Sequence, residues 1–229
     1  MPATATSSVS PKLSEPLGLF GGTFDPVHYG HLRLAEEAIA HLALGGVRWI
    51  PAGQPPQRGT PQVTAGQRLA MVRCATAGNP RFSVDAGEVE AAAPSYTVHT
   101  LERLRAELGE QQQLVLLVGA DAFAGLATWH RWRDIFGLAH VAVSHRPGFP
   151  VETASLPHEL ATEFNDRRLT DVGALRASPA GGIATFAMTQ LAISATQIRK
   201  LLANGLSARY LLPDDVLDYI QLHSLYRNA

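Results

Sequence analysis

Cysteine is nearly absent from this 229-residue chain. The single thiol, Cys74, excludes an internal disulfide framework and every zinc site built from several cysteines, and it fits a reducing, cytoplasmic setting. An excess of charge of one sign is absent too. Lys+Arg 19 against Asp+Glu 20 leaves a formal net charge of -1, so nothing global draws the chain toward nucleic acid or an anionic membrane, and phosphate recognition has to be local. No apolar run approaches the roughly 20 residues that a bilayer-spanning helix needs. Met1 to Glu15 is rich in Ser, Thr, Ala and Pro. It lacks the basic start and apolar stretch of a secretory signal and reads as a disordered tail before a single domain over 16–229. Beyond that tail there is no internal repeat, heptad array or low-complexity block.

What is present alternates between strand and helix patterns. Leu17-Gly18-Leu19-Phe20 is a short apolar run ending at Gly21-Gly22, after which Leu32, Ala35, Ile39 and Leu42 recur at helical spacing. Gly45-Gly46 stops that helix, and Val47 to Pro51 reads as a second strand, parallel to the first through a right-handed crossover. Ala52 to Gly66, crowded with Pro, Gly and Gln, is expected to be a long loop serving substrate access. Helical periodicity returns over Gln67 to Ala75 and Thr97 to Leu108, with Phe82-Ser83-Val84 a strand between them.

Leu114 to Val118 is apolar on both faces, as in the middle of a covered parallel sheet, and ends at Gly119-Ala120-Asp121, the strand end where ligands of such sheets gather. Strands are also expected at Val141 to Val143 and Ile183 to Phe186, a helix after Thr196 that stops near Asn204-Gly205, and a last helix from Pro213 to about Leu222. Arg146 to Gly182 carries no readable pattern. The fold class is α/β, a doubly wound, Rossmann-like parallel sheet with a small C-terminal helical part.

The most informative segment joins the first strand to the first helix: Gly21-Gly22-Thr23-Phe24-Asp25-Pro26-Val27-His28-Tyr29-Gly30-His31. Glycines after a strand let backbone N–H groups approach an anion, and the helix start adds free N–H donors and partial positive charge. His28 and His31 enter the first turn, where both imidazoles can donate to phosphoryl oxygens, and Gly30 removes a side chain that would crowd them. The loop does not spell G-x-G-x-x-G and carries no P-loop Gly-Lys-Ser/Thr, which speaks against hydride transfer and P-loop hydrolysis.

Gly22-x-Phe24-x-Pro26-x-His28-x-Gly30-His31 resembles the signature of the nucleotidylyltransferase superfamily. Ile193-Ser194-Ala195-Thr196-Gln197-Ile198-Arg199 resembles its second motif, and Ala93-Pro94-Ser95-Tyr96-Thr97, Gly119-Ala120-Asp121, Thr128-Trp129 and Arg146-Pro147-Gly148 narrow the likeness to the bacterial nicotinate-nucleotide adenylyltransferases over roughly Leu17 to Arg227. The resemblance implies ATP bound by Gly21, Gly22, Thr23, Phe24, His28, His31, Gly119, Asp121, Ile193, Ser194, Thr196 and Arg199. His28, His31 and Arg199 would act in catalysis, with Asp121 at a ribose hydroxyl and Ser194, Thr196 and Arg199 at the β- and γ-phosphates. It implies nicotinate mononucleotide at Tyr96, Thr97, Trp129, His130 and Arg146, the ring on Trp129, and Mg²⁺ as cofactor with no protein metal site. Two departures stand out: Gln57 where relatives carry a histidine, and Glu90-Ala91-Ala92 without the usual basic residue.

Two rivals stay open on the sequence: another acceptor, as in pantetheine-phosphate or cytidylyl transferases, and a nucleotide-binding regulator without chemistry. Neither nucleic acid nor membrane is expected as a partner, and self-association is left open. Cys74, at helical spacing with Leu69, Ala70 and Met71, is expected to be buried and inert.

Overall fold

The computed structural model describes residues 15–55, 59–91 and 93–227. The expected tail lies outside the described residues except for Glu15, whose carbonyl accepts a hydrogen bond from Gln112 Nε2 at 3.1 Å. Gln57 lies outside them as well.

Strands β1 (Leu17–Gly22), β2 (Gly46–Pro51), β3 (Phe82–Val84), β4 (Leu114–Gly119), β5 (His140–His145) and β6 (Ile183–Ala187) form one six-stranded parallel sheet in the order β3-β2-β1-β4-β5-β6. The period of two along each strand divides the core. Val115 and Leu117 of β4 face one apolar cluster, with α1 (Tyr29–Leu42) and α2 (Ala65–Thr76). Leu114, Leu116 and Val118 face the other. In chain order the short α3 (Gly87–Glu90) and α4 (Thr97–Leu108) precede β4, and α5 (Ala120–Ala124) and α6 (Ile135–Leu138) follow it. Helix α7 (His158–Arg167) lies between β5 and β6 in the chain, and α8 (Ala195–Ala203) and α9 (Asp214–Leu222) follow β6.

Both β2 and β4 pair with β1, so the winding direction reverses between β1 and β4. That reversal opens a crevice at the carboxyl ends of these two strands.

The structure departs from the sequence expectation in three places. Helix α2 starts at Ala65, inside the expected loop, because Thr64 and Gln67 form a reciprocal capping box: Gln67 N–H donates to Thr64 Oγ1 at 3.2 Å and Thr64 N–H to Gln67 Oε1 at 3.0 Å. The unreadable stretch contains α7, held by buried Leu160 and Phe164 one turn apart, too few apolar residues to show a period. Cys74 is half-buried rather than enclosed, and burial still pushes its thiol pKa up, away from a reactive thiolate. Among the described residues no helix is long and apolar enough to cross a membrane.

Candidate active site

A cleft of about 890 Å³ opens at the ends of β1 and β4, within the size range of small-molecule sites. Its floor is the loop between β1 and α1. His28 takes the N-cap position of α1 with extended backbone, and its ring stacks on His31 with centroids 3.8 Å apart and 27° between planes. The His28 N–H donates to His31 Nδ1 at 3.2 Å. With Nδ1 accepting, a neutral His31 carries its proton on Nε2, the nitrogen that can donate to a phosphoryl oxygen.

Phe24, assigned from the sequence to ATP, borders the cleft but keeps its ring 2% exposed. It stands edge-on to His31 at 5.1 Å and packs on Phe20 and Trp49, so it supports the imidazole from behind. A Cβ on Gly30 would sit 3.0 Å from His28 Cε1 and Nδ1, which is why this position carries no side chain.

Burial lowers the His28 pKa to about 4, so the ring is neutral near pH 7, and its Nδ1 finds no hydrogen-bond partner among the described residues. The depressed value makes stability pH-dependent with a defined sign. The unfolded chain takes up a proton near pH 6.5 that the folded site refuses, so His28's contribution is complete above 6.5, falls as pH drops and is lost near 4. Urea midpoints of the substrate-free protein should fall between pH 7 and pH 5, and His28→Asn should flatten that fall.

The second motif closes the cleft from the opposite side. Ser194 caps α8, accepting the Gln197 N–H at 3.2 Å and keeping its own O–H as a donor. Arg199, one turn in, donates from Nη1 to the Asp25 carbonyl at 2.7 Å and from Nη2 to Thr196 Oγ1 at 3.4 Å. Residues 174 positions apart in the chain thus meet at one loop.

The start of α4 and the segment after α5 also line the cleft. Tyr96 caps α4, its ring 4.6 Å from His130 and 5.6 Å from His99. Trp129 and Arg146 line the same wall, whereas Trp132 is buried beneath the Arg133 guanidinium, 4.5 Å from its ring centroid. Asp121 is exposed at the end of β4, in the first turn of α5. All the residues assigned from the sequence to ATP or to the mononucleotide border this one cleft.

A family model described as cytidylyltransferase-like matches residues 19–201. A probable nicotinate-nucleotide adenylyltransferase of Dechloromonas aromatica is 84% identical over 217 residues, covering 95% of this chain and 100% of the relative. A protein of the same name from Pseudomonas putida is 51% identical over 211 residues, covering 92% of this chain and 94% of the relative. The chain belongs to the nicotinate-nucleotide adenylyltransferases.

The architecture is shared with distant members of that family. The nicotinic acid mononucleotide adenylyltransferase of Plasmodium falciparum, solved in complex with NaAD, superposes with a TM-score of 0.67 at 15% identity, covering 93% of this chain and 97% of that one. At that identity the likeness concerns the fold.

This adenylyltransferase site also rests on residues the sequence reading passed over. Arg68 is 1% exposed and donates to the Thr23 carbonyl at 2.7 Å and the Gly53 carbonyl at 2.9 Å, riveting the loops after β1 and β2 together. A charge sharing a helix face with Met71 and Val72 was the available signal. Ser95 Oγ accepts the N–H groups of Gly53 and Gln54 at 2.9 and 3.2 Å. Behind it Glu88, its pKa raised by burial, accepts Thr100 Oγ1 at 2.6 Å. A Cβ on Gly53 would fall 2.0 Å from the Glu88 carbonyl oxygen, so only glycine lets these segments touch.

Proposed function

We propose that this chain transfers the adenylyl group of ATP to nicotinate mononucleotide, giving nicotinate adenine dinucleotide and pyrophosphate, a step in NAD biosynthesis carried out in the cytoplasm. The observation that carries the reading is that one cleft gathers the paired imidazoles and Arg199 together with Tyr96, Trp129 and His130.

An oxygen of the mononucleotide's 5′-phosphate attacks the ATP α-phosphorus in line. As that P–O bond forms, the bond from the α-phosphorus to the bridging oxygen breaks, and its electron pair leaves with pyrophosphate. The attacking phosphate is already anionic, so no general base or protein nucleophile is required, and the obstacle is repulsion between two polyanions. Positioning and charge stabilisation carry the catalysis. His28 and His31 donate to phosphoryl oxygens, neutral His28 doing so without a second buried charge beside the stacked ring. Arg199, Ser194, Thr196 and the N-terminus of α8 hold the β- and γ-phosphates, with the Ile193 backbone leading into that helix. Gly21, Gly22 and Thr23 bring backbone close to the triphosphate, and Gly119 and Asp121 meet the adenylate ribose. The pyridine ring stacks on Trp129, its carboxylate meets N–H groups near Thr97 and His130 beside Tyr96, and Arg146 faces the acceptor's phosphate.

Magnesium enters as part of the ATP substrate. Both oxygens of the Asp25 carboxylate already accept hydrogen bonds, Glu88 accepts from Thr100, and no cluster of three or more metal-ligating side chains occurs among the described residues. Bound with ATP, the ion would offset charge on the triphosphate beside His28, His31 and Arg199. Chelation by EDTA should stop turnover yet leave the thermal midpoint of the substrate-free protein unchanged.

The decisive assay follows pyrophosphate release with ATP and either the acid or the amide mononucleotide. Faster turnover of the acid is the expected result. Release with neither, despite ATP binding, would favour a regulator, and release only with phosphopantetheine would reassign the acceptor.

A further inference from the structure

We propose that Tyr226, near the C-terminal end of the chain, is a positioning residue for the triphosphate site: its hydroxyl holds the Asp25 carboxylate and thereby sets the Arg199 guanidinium.

Asp25 is 6% and Tyr226 8% exposed. Tyr226 O–H donates to Asp25 Oδ1 at 2.7 Å, Gln62 N–H to Asp25 Oδ2 at 2.9 Å, and Arg199 Nη1 to the Asp25 backbone carbonyl at 2.7 Å. One residue of the first loop therefore joins the chain terminus, the loop before α2 and the arginine of α8. The carboxylate stands 4.0 Å from Arg199 Nη1, close enough to capture that cation if released. Arg199 Nε finds no hydrogen-bond partner among the described residues, so the guanidinium is aimed by its contacts with Asp25 and Thr196 alone.

The chain goes to some length to place this hydroxyl. Ser224 and Tyr226 both adopt left-handed backbone, φ 51° and 60°, which non-glycine residues keep only where their surroundings enforce it. Packing of Tyr226 into the cluster shared by Ile198, Val216 and Ile220 would be met by a phenylalanine, and the hydroxyl adds only the bond to Asp25. Burial and that carboxylate both push the phenol's pKa up, so it remains a donor throughout the working range of pH. Without it, Asp25 Oδ1 is left buried and unpaired beside Arg199 and Arg68, and closing on either cation is its relief. An Arg199 neutralised by Asp25 is a weaker phosphate ligand.

The inference rests on the assignment of Arg199 to the triphosphate, and the test separates the two. In Tyr226→Phe, KM for ATP should rise and kcat fall, together lowering kcat/KM for ATP about five- to tenfold, with KM for the mononucleotide unchanged and the pH profile unshifted. In an Arg199→Ala background the same substitution should cause no further loss. Asp25→Asn removes the charge that would neutralise Arg199, so adding it to Tyr226→Phe should restore most of the ATP-selective loss, which a mere folding defect would not allow. Unchanged KM for ATP with only a lower thermal midpoint in Tyr226→Phe, no recovery on adding Asp25→Asn, or losses that multiply in the Arg199→Ala background would each overturn the positioning role. Normal kinetics in Arg199→Ala would instead bring down the triphosphate assignment, and this inference with it.

Discussion

Replacing His31 with alanine should lower kcat at least about a hundredfold while the protein stays folded. Removing one preorganised donor from a developing transition-state charge typically costs ~2.7–4 kcal/mol, and His31 is preorganised from two sides. Its Nδ1 is tied to the His28 N–H and its ring meets the edge of buried Phe24. The structural loss includes one capping hydrogen bond, about 1 kcal/mol, and the ring contacts with His28 and Phe24, so the thermal midpoint should fall while the fold is kept. Pyrophosphate release under saturating substrates, beside a melting curve, checks both halves. Wild-type turnover in the variant would defeat the catalytic assignment.

Arg199→Ala should be nearly as damaging but in a different pattern, raising KM for ATP as well as lowering kcat. Charge-assisted hydrogen bonds contribute about 1.5–3 kcal/mol each, which translates to roughly a 10- to 150-fold loss in kcat/KM for ATP. Arg199→Lys should recover only part of it. An ammonium supplies the charge but not the planar fork that reaches the Asp25 carbonyl and Thr196 while facing phosphate. Equal losses for ATP and for the mononucleotide, measured with the other substrate saturating, would place Arg199 elsewhere in the cleft.

The two motifs were legible because each is local: a strand end, glycines and a helix start in consecutive residues from Gly21 to His31, and a serine cap and helix start from Ile193 to Arg199. The doubly wound sheet was legible for the same reason, since Leu114 to Val118 is apolar on both faces and alternation of elements dictates parallel pairing. Helix α7 was not, because Leu160 and Phe164 alone define no period, and the start of α2 was hidden in a loop-like composition although Thr64 and Gln67 spell a capping box. Phe24 reads as a motif residue in sequence and turns out to support His31 from the core.

Amino-acid order by itself determined the strand-helix alternation, the glycine- and serine-led helix starts and the residue types able to meet phosphate, because backbone preference and hydrophobic period act over a few neighbouring positions. Tertiary structure alone decided which distant groups share a hydrogen bond: Arg68 with Thr23 and Gly53, Ser95 with Gly53, and Tyr226 with Asp25 across 201 residues. Such contacts arise where the sheet reverses its winding and buries polar groups that must then find partners, and nothing in local spacing names the partner in advance.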